Sequence, residues 1–281
     1  MNRIAAGLFV GLALPGALAA LDPSRRLTQY AHDAWTIDQG LPQGSVMALA
    51  EGAAGELWVG TQEGLVRFDG HRFESFEEIA GEPLPGPHVL ALVVDRSGAL
   101  WIGTDAGLVR WRPGAPVARW TEREGLPANA VYSVAAGARG ELWVGTQSGL
   151  ARVRGERAET VVPAGEALET IYSLFVDRRA RLWIGTAGRG LHLLDERGGG
   201  SRLLPLGPHD RAVYAIREEP SGTIAATVGD DGLLEIDGES LSARRGGCMG
   251  RANPFAPGAG CSHRRPRAVR NGSRDTPRDS A

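Results

Sequence analysis

The apolar positions of this chain fall in short runs separated by glycine and polar turns, and the runs return in a fixed order. "GELWVGTQEGLVRFDG" at 55–70 comes back as "GALWIGTDAGLVRW" from Gly98, "GELWVGTQSGLARV" from Gly140 and "RLWIGTAGRGLHLL" from Arg181. Trp58, Trp101, Trp143 and Trp183 stand 43, 42 and 40 residues apart, and an eroded copy, "SGTIAATVGDDGLLEI", places Ala225 42 residues after Trp183. Four short strands in a period of this length predict a β-propeller blade. Helical repeats would instead show apolar residues every three or four positions.

Each unit divides into the same four strands. In the second unit "HVLALVVD" is a continuous apolar run suited to a buried inner strand. "LWIGT" and "GLVRW" then alternate like half-covered strands, and "PVARWTE" supplies the outer strand. Asp95 and Gly98 fall where a side-chain-capped turn is expected. Gly60/Gly64, Gly103/Gly107 and Gly145/Gly149 flank the next hairpin, where positive φ is commonly required. The fold class is therefore all-β, a propeller of four-stranded antiparallel blades. About five blades are countable, fewer than a seven-blade ring. "AWTIDQGLP" at 34–42 aligns with "RWTEREGLP" at 119–127, which makes the segment of Trp35 an outer strand without its blade. Trp58, Trp101, Trp143 and Trp183, with Gly60, Gly103, Gly145 and Gly185, form the structural set. A residue that returns at one place in blade after blade answers a packing need better than it serves as a platform for a sugar or base.

Composition adds limits. With 281 residues, 42% hydrophobic, and a net charge of −2, the chain has no overall attraction for nucleic acid. All 31 basic residues are arginine, which reads as coding bias. Residues 1–20, "MNRIAAGLFVGLALPGALAA", have the positive start, apolar run and Ala17-Leu18-Ala19 pattern of a cleaved signal peptide, and so predict a periplasmic protein. Residues 21–244 form the propeller domain. From Arg245 the text turns rich in Arg, Gly, Pro and Ser, a disordered basic tail or sequence out of the repeat's reading frame. Cys248 and Cys261 lie outside the repeats, so the fold does not lean on disulfides.

The six histidines share no metal-ligand spacing, and no nucleophile-elbow or phosphate-loop pattern occurs. The chain reads as a binder with no catalytic residue, metal or cofactor. In a four-strand blade, the loops entering the inner strand and the turns between the second and third strands open on one face. The first set offers Gln43, His88, Asn129, Thr170, Asp210 and Arg211. The second offers Gln62, Glu63, Asp105, Gln147, Ser148, Arg189 and Asp230. These positions vary on a repeated frame, as expected if the blades divide the recognition of one ligand. A secreted propeller lyase or glycoside-active enzyme using the same face is the alternative, because a propeller can assemble a site from several blades.

The order "GLP", "LWVGT", "GL" and "RFDG" within "GLPQGSVMALAEGAAGELWVGTQEGLVRFDGHRF" resembles the two-component regulator propeller repeat, over roughly residues 30–244. The resemblance implies the extracytoplasmic ligand-sensing part of a hybrid histidine kinase or membrane diguanylate cyclase. It also implies a small-molecule or glycan-fragment ligand in some members, and a dimeric, membrane-anchored kinase or cyclase output domain as partner. Members commonly continue into further blades, a membrane span and that output domain, so the chain resembles a truncated sensor.

Overall fold

The computed structural model describes residues 33–161, 169–195, 202–206, 210–229, 232–238, 241 and 243–245. By backbone contacts the chain divides into Met1–Trp35 and Thr36–Ala281. Of the first unit residues 33–35 are described; they are exposed and form no strand.

The second unit contains the repeats, folded as five four-stranded antiparallel sheets. Blade 1 is β1 (Val46–Glu51), β2 (Leu57–Thr61), β3 (Gly64–Phe68) and β4 (Phe73–Ser75). Blade 2 is β5 (Val89–Val94), β6 (Leu100–Thr104), β7 (Gly107–Trp111) and β8 (Ala118–Trp120). Blade 3 is β9 (Val131–Ala136), β10 (Leu142–Thr146), β11 (Gly149–Arg154) and β12 (Arg157–Val161). Blade 4 is β13 (Ile171–Val176), β14 (Leu182–Thr186), β15 (Leu191–Asp195) and β16 (Arg202–Pro205). Blade 5 is β17 (Val213–Glu218), β18 (Thr223–Val228), β19 (Gly232–Asp237) and β20 (Ala243–Arg245). Strand order within each sheet follows the chain, as the repeated hairpin turns require. The protein is a β-propeller by this architecture, and the eroded fifth copy still makes all four strands.

The core is a series of layers between blades. Trp58 of blade 1 packs with Val89, Leu100, Ile102 and Trp111 of blade 2. Trp101 packs with Val131, Leu142 and Val144, Trp143 with Ile171, Leu182 and Ile184, and Trp183 with Val213, Ile224 and Ile236. The four indoles are 1%, 5%, 4% and 0% exposed. Acids at the first hairpin support them: Trp101 Nε1 donates to Asp95 at 2.8 Å, and Trp183 Nε1 to Asp177 at 2.9 Å. Blades 1 and 3 carry Gly52 and Gly137 at that position, and Glu56 and Glu141 fold their carboxylates into the space left.

A β-bulge in each inner strand decides which neighbour its side chains meet. Val89 pairs with Thr104 and Ala91 with Gly103, so Leu90 is the extra residue. The bulge turns Val89 back toward blade 1 and leaves Ala91 facing blade 3. Met47, Tyr132, Tyr172 and Tyr214 are the corresponding extra residues.

Two expectations need correction. Positive φ is confined to the second glycine of each hairpin pair: Gly64 at 137°, Gly107 at 145°, Gly149 at 136°. Gly60, Gly103, Gly145 and Gly185 are glycine because the next blade occupies the side-chain space. A Cβ on Gly60 would stand 2.5 Å from Val89 Cγ1, and one on Gly145 2.6 Å from Ile171 Cγ2. The segment aligned as an outer strand also differs. Residues 33–36 form no strand, and Ile37–Gln39 make a 3₁₀ turn between Thr36 and Gly40 (φ 103°). The same turn, Glu122–Glu124 between Thr121 and Gly125 (φ 103°), follows β8. The alignment was thus of a capped turn, with Gln39 or Glu124 closing a capping box on the threonine.

Candidate functional site

The threonine ending "LWVGT" builds the hairpins that carry half of the candidate residues. Thr61, Thr104, Thr146 and Thr186 are each 0% exposed. Each Oγ1 donates to the carbonyl of the glycine beyond the turn, at 3.0 Å (Gly64), 2.9 Å (Gly107), 3.0 Å (Gly149) and 3.1 Å (Gly190). The same oxygen accepts from the turn amides of Glu63, Ala106, Ser148 and Arg189 at 2.9–3.2 Å. One buried hydroxyl therefore replaces the backbone bonds a tight turn would leave open.

These hairpins are tied to the loops entering the inner strands. Asp105 N–H donates to the His88 carbonyl at 3.2 Å, Gln147 to Ala130 at 3.0 Å, Ala187 to Thr170 at 2.9 Å and Gly229 to Ala212 at 2.8 Å. The bond recurs in four successive blades, so in blades 2–5 the described residues of the two loop sets lie at one end of the strands. Further bonds run along this face. Thr170 Oγ1 donates to the Gln147 carbonyl at 2.9 Å, from blade 4 to blade 3. Gly190 N–H donates to the Arg211 carbonyl at 3.0 Å, and Gly188 N–H to Glu169 Oε1 at 2.8 Å.

The candidates differ in what they can still offer. Gln62, Glu63, His88, Gln147, Ser148, Arg189, Asp210 and Arg211 are exposed. His88 Nδ1 lies 3.0 Å from Asp105 Oδ2, which orients the ring. Asp210 and Arg211 form an exposed pair at 3.8 Å. Gln43 and Asn129 are half-buried and serve their own loops: Gln43 Oε1 accepts from Ser45 N–H at 2.6 Å, and Asn129 Oδ1 from Glu122 N–H at 2.9 Å. Asp230 lies outside the described residues. Among the described residues no cluster of His, Cys, Asp and Glu could hold a metal ion.

The structure adds residues that the loop reading missed. Tyr132, Tyr172 and Tyr214 occupy the bulge positions beside the entering loops of blades 3, 4 and 5. Their rings form a ladder, 5.7 Å apart and edge-on for Tyr132–Tyr172, 5.5 Å apart and stacked for Tyr172–Tyr214. Tyr214 is 60% exposed. Aligning the inner strands on Val131, Ile171 and Val213 brings the tyrosines into one column, a signal hidden when those strands are read only as apolar runs. Two cavities, of about 360 and 310 Å³, lie at the other end of the strands, among the first hairpins of blades 2–5. None of the candidate residues lines them.

Three stretches, residues 40–63, 83–106 and 125–148, match the family described as two component regulator propeller. Each runs from an entering loop through the following hairpin. No curated protein matches the chain. Among solved structures, the chain is similar to the extracellular domain of BT4673 from B. thetaiotaomicron, with 19% identity over 71% of this chain and 33% of that one, at a TM-score of 0.45. It is also similar to a streptogramin B lyase, with 14% identity over 75% and 71% of the two chains at a TM-score of 0.61. Virginiamycin B lyase from Staphylococcus aureus gives 13% identity over 71% and 68%, at a TM-score of 0.57. The chain spans about a third of the length of the first of these structures. At such identities the likeness concerns the fold.

Proposed function

Because this chain carries the repeats of the two-component regulator propeller family, we propose that it is the extracytoplasmic ligand-sensing propeller of a bacterial signal-transduction receptor. One observation supports this reading above the others: an aromatic ladder at Tyr132, Tyr172 and Tyr214 stands beside polar loops of varying sequence on a rigid repeated frame. An apolar wall with a few placed polar groups is the usual composition of a small-molecule site. Glycan fragments and other small molecules with one apolar face suit the ladder, with Gln147, Arg189 and Arg211 supplying polar contacts. In the receptor the propeller would act on a membrane-anchored kinase or cyclase output domain. Among the described residues no helix is long and apolar enough to cross a membrane.

The test is calorimetric titration of the full chain with a panel of short oligosaccharides, with mass spectrometry of the mixture afterwards. The expected result is saturable binding without turnover, weakened roughly tenfold by Tyr172→Ala at an unchanged fold. Turnover of an oligosaccharide would replace the sensor by an enzyme, and binding indifferent to Tyr172 would move the site elsewhere.

A further inference from the structure

Arginines stand beside the repeated tryptophans, and in three blades a carboxylate neutralises them. Arg67, across the strand from Trp58, ion-pairs with Glu74. Arg152, over Trp143, pairs with Glu159 at 2.5 Å, and Arg181, over Trp183, pairs with Asp177 at 2.6 Å. In blade 2 the acid is absent, because Arg110 faces Ala118 across β7–β8, where the equivalent pairs are Arg67–Glu74 and Arg152–Glu159. The Arg110 guanidinium instead lies 5.5 Å from the Trp101 ring and 5.4 Å from the Trp120 ring. A cation–π contact is not a hydrogen bond and satisfies none of the guanidinium's N–H donors. Among the described residues none accepts a hydrogen bond from Arg110.

The cavity of about 310 Å³ between blades 2 and 3 is lined by Arg110, Arg112, Trp101, Asp95 and Glu141, among others. Arg112 is bonded to Ser97, and Asp95 is filled by donors from Ser97, Ala99 and Trp101. Glu141 is not: its Oε2 is buried with no donor within the protein. The equivalent Glu56 of blade 1 accepts from Ala54 N–H at 2.9 Å. One cavity thus holds a guanidinium lacking an acceptor and a carboxylate oxygen lacking a donor, not paired with each other.

We propose that this cavity, on the face opposite the tyrosine ladder, binds a small zwitterion, an α-amino acid. Its carboxylate sits in the fork of Arg110 and its ammonium group donates to the Glu141 carboxylate where that side chain lines the cavity. A simple anion would meet the acids of Glu141 and Asp95 with nothing to answer them. A simple cation would meet Arg110 and Arg112 in the same way. The volume is at the small end of the ligand-pocket range of about 300–1,000 Å³, which suits a ligand of this size.

The experiment is calorimetric titration of the full chain with glycine, L-alanine and L-leucine, alongside acetate and methylammonium. Saturable binding of the amino acids is expected, with acetate and methylammonium each weaker by about tenfold or more. Ala118→Glu installs the acid that blades 1 and 3 carry. It should occupy Arg110 and weaken amino-acid binding about tenfold or more, with a melting temperature unchanged or raised. Arg110→Met keeps apolar contact with both tryptophans and removes the donors, so it should have the same effect on binding. If Ala118→Glu does not fold, the methionine variant decides. Absence of amino-acid binding, acetate binding as tightly, or parental binding in the decisive variant would overturn the proposal.

Discussion

Val131 fills the space in which a side chain on Gly103 would stand, its Cγ1 2.7 Å from the position of that missing Cβ. Val89 on Gly60 at 2.5 Å, Ile171 on Gly145 at 2.6 Å and Val213 on Gly185 at 2.8 Å repeat the arrangement between the other blades. Gly103→Ala is therefore an overpacking change with no φ penalty, expected to cost about 1–3 kcal/mol. Combining it with Val131→Ala should restore part of that loss, seen as non-additivity in denaturant unfolding. Simple additivity would mean the two residues do not share the space.

The same valine position tests the order of the blades. Val131 is fully buried, whereas Val46 of blade 1 is 44% exposed. Val131→Ala should cost about 2 kcal/mol and Val46→Ala less than about 0.5 kcal/mol, by equilibrium unfolding. Equal losses would mean that something covers the free face of blade 1.

Trp101→Ala should destabilise by about 3–5 kcal/mol, measured by thermal or chemical unfolding. Ligand affinity per folded molecule on the tyrosine face should not change, because the indole is buried between blades 2 and 3. Lost affinity at an unchanged melting temperature would give the indole a binding role.

Asp95 should make stability depend on acid. Burial opposes its ionisation, but hydrogen bonds from Ser97, Trp101 and Ala99 outweigh that and hold its carboxyl below the ordinary value of 3.8. Its contribution is thus complete above pH 3.8 and fades as pH falls through the lower folded value. Asp95→Asn should cost about 1 kcal/mol at neutral pH, and the gap between parent and variant should close on acidification. A gap constant down to the acid end would locate the effect in packing.

Thr146→Val removes a buried hydroxyl that donates to Gly149 and accepts from Ser148. A loss of about 1–3 kcal/mol is expected, with faster amide exchange at Gln147 and Ser148 as the specific readout.

The blade pattern was legible because it is local. "LWIGT" became Leu100–Thr104 and "GLVRW" became Gly107–Trp111, since alternation and turn glycines act within one hairpin. The capping role of Asp95 was readable for the same reason. The shared face of the candidate loops followed from strand order alone, and the Asp105–His88 and Gln147–Ala130 bonds hold it together. Whether those residues touch a ligand is a question that spacing does not reach. The cross-strand column Glu74, Ala118, Glu159 was also present in the text. Its meaning needed the cavity beside Arg110.

By itself, the sequence determined the period, the strands, the turns and the inward place of the four tryptophans, because each follows from side-chain periodicity and backbone preference over a few residues. Only the tertiary structure decided why Gly103 must lack a side chain, how a bulge aligns Tyr132, Tyr172 and Tyr214, and which arginine is left without an acid. The last turns on Ala118, the cross-strand partner of Arg110 within blade 2; the first two depend on atoms one blade away. A period of about 42 residues brings them to within van der Waals distance, and their separation along the chain gives no measure of that approach.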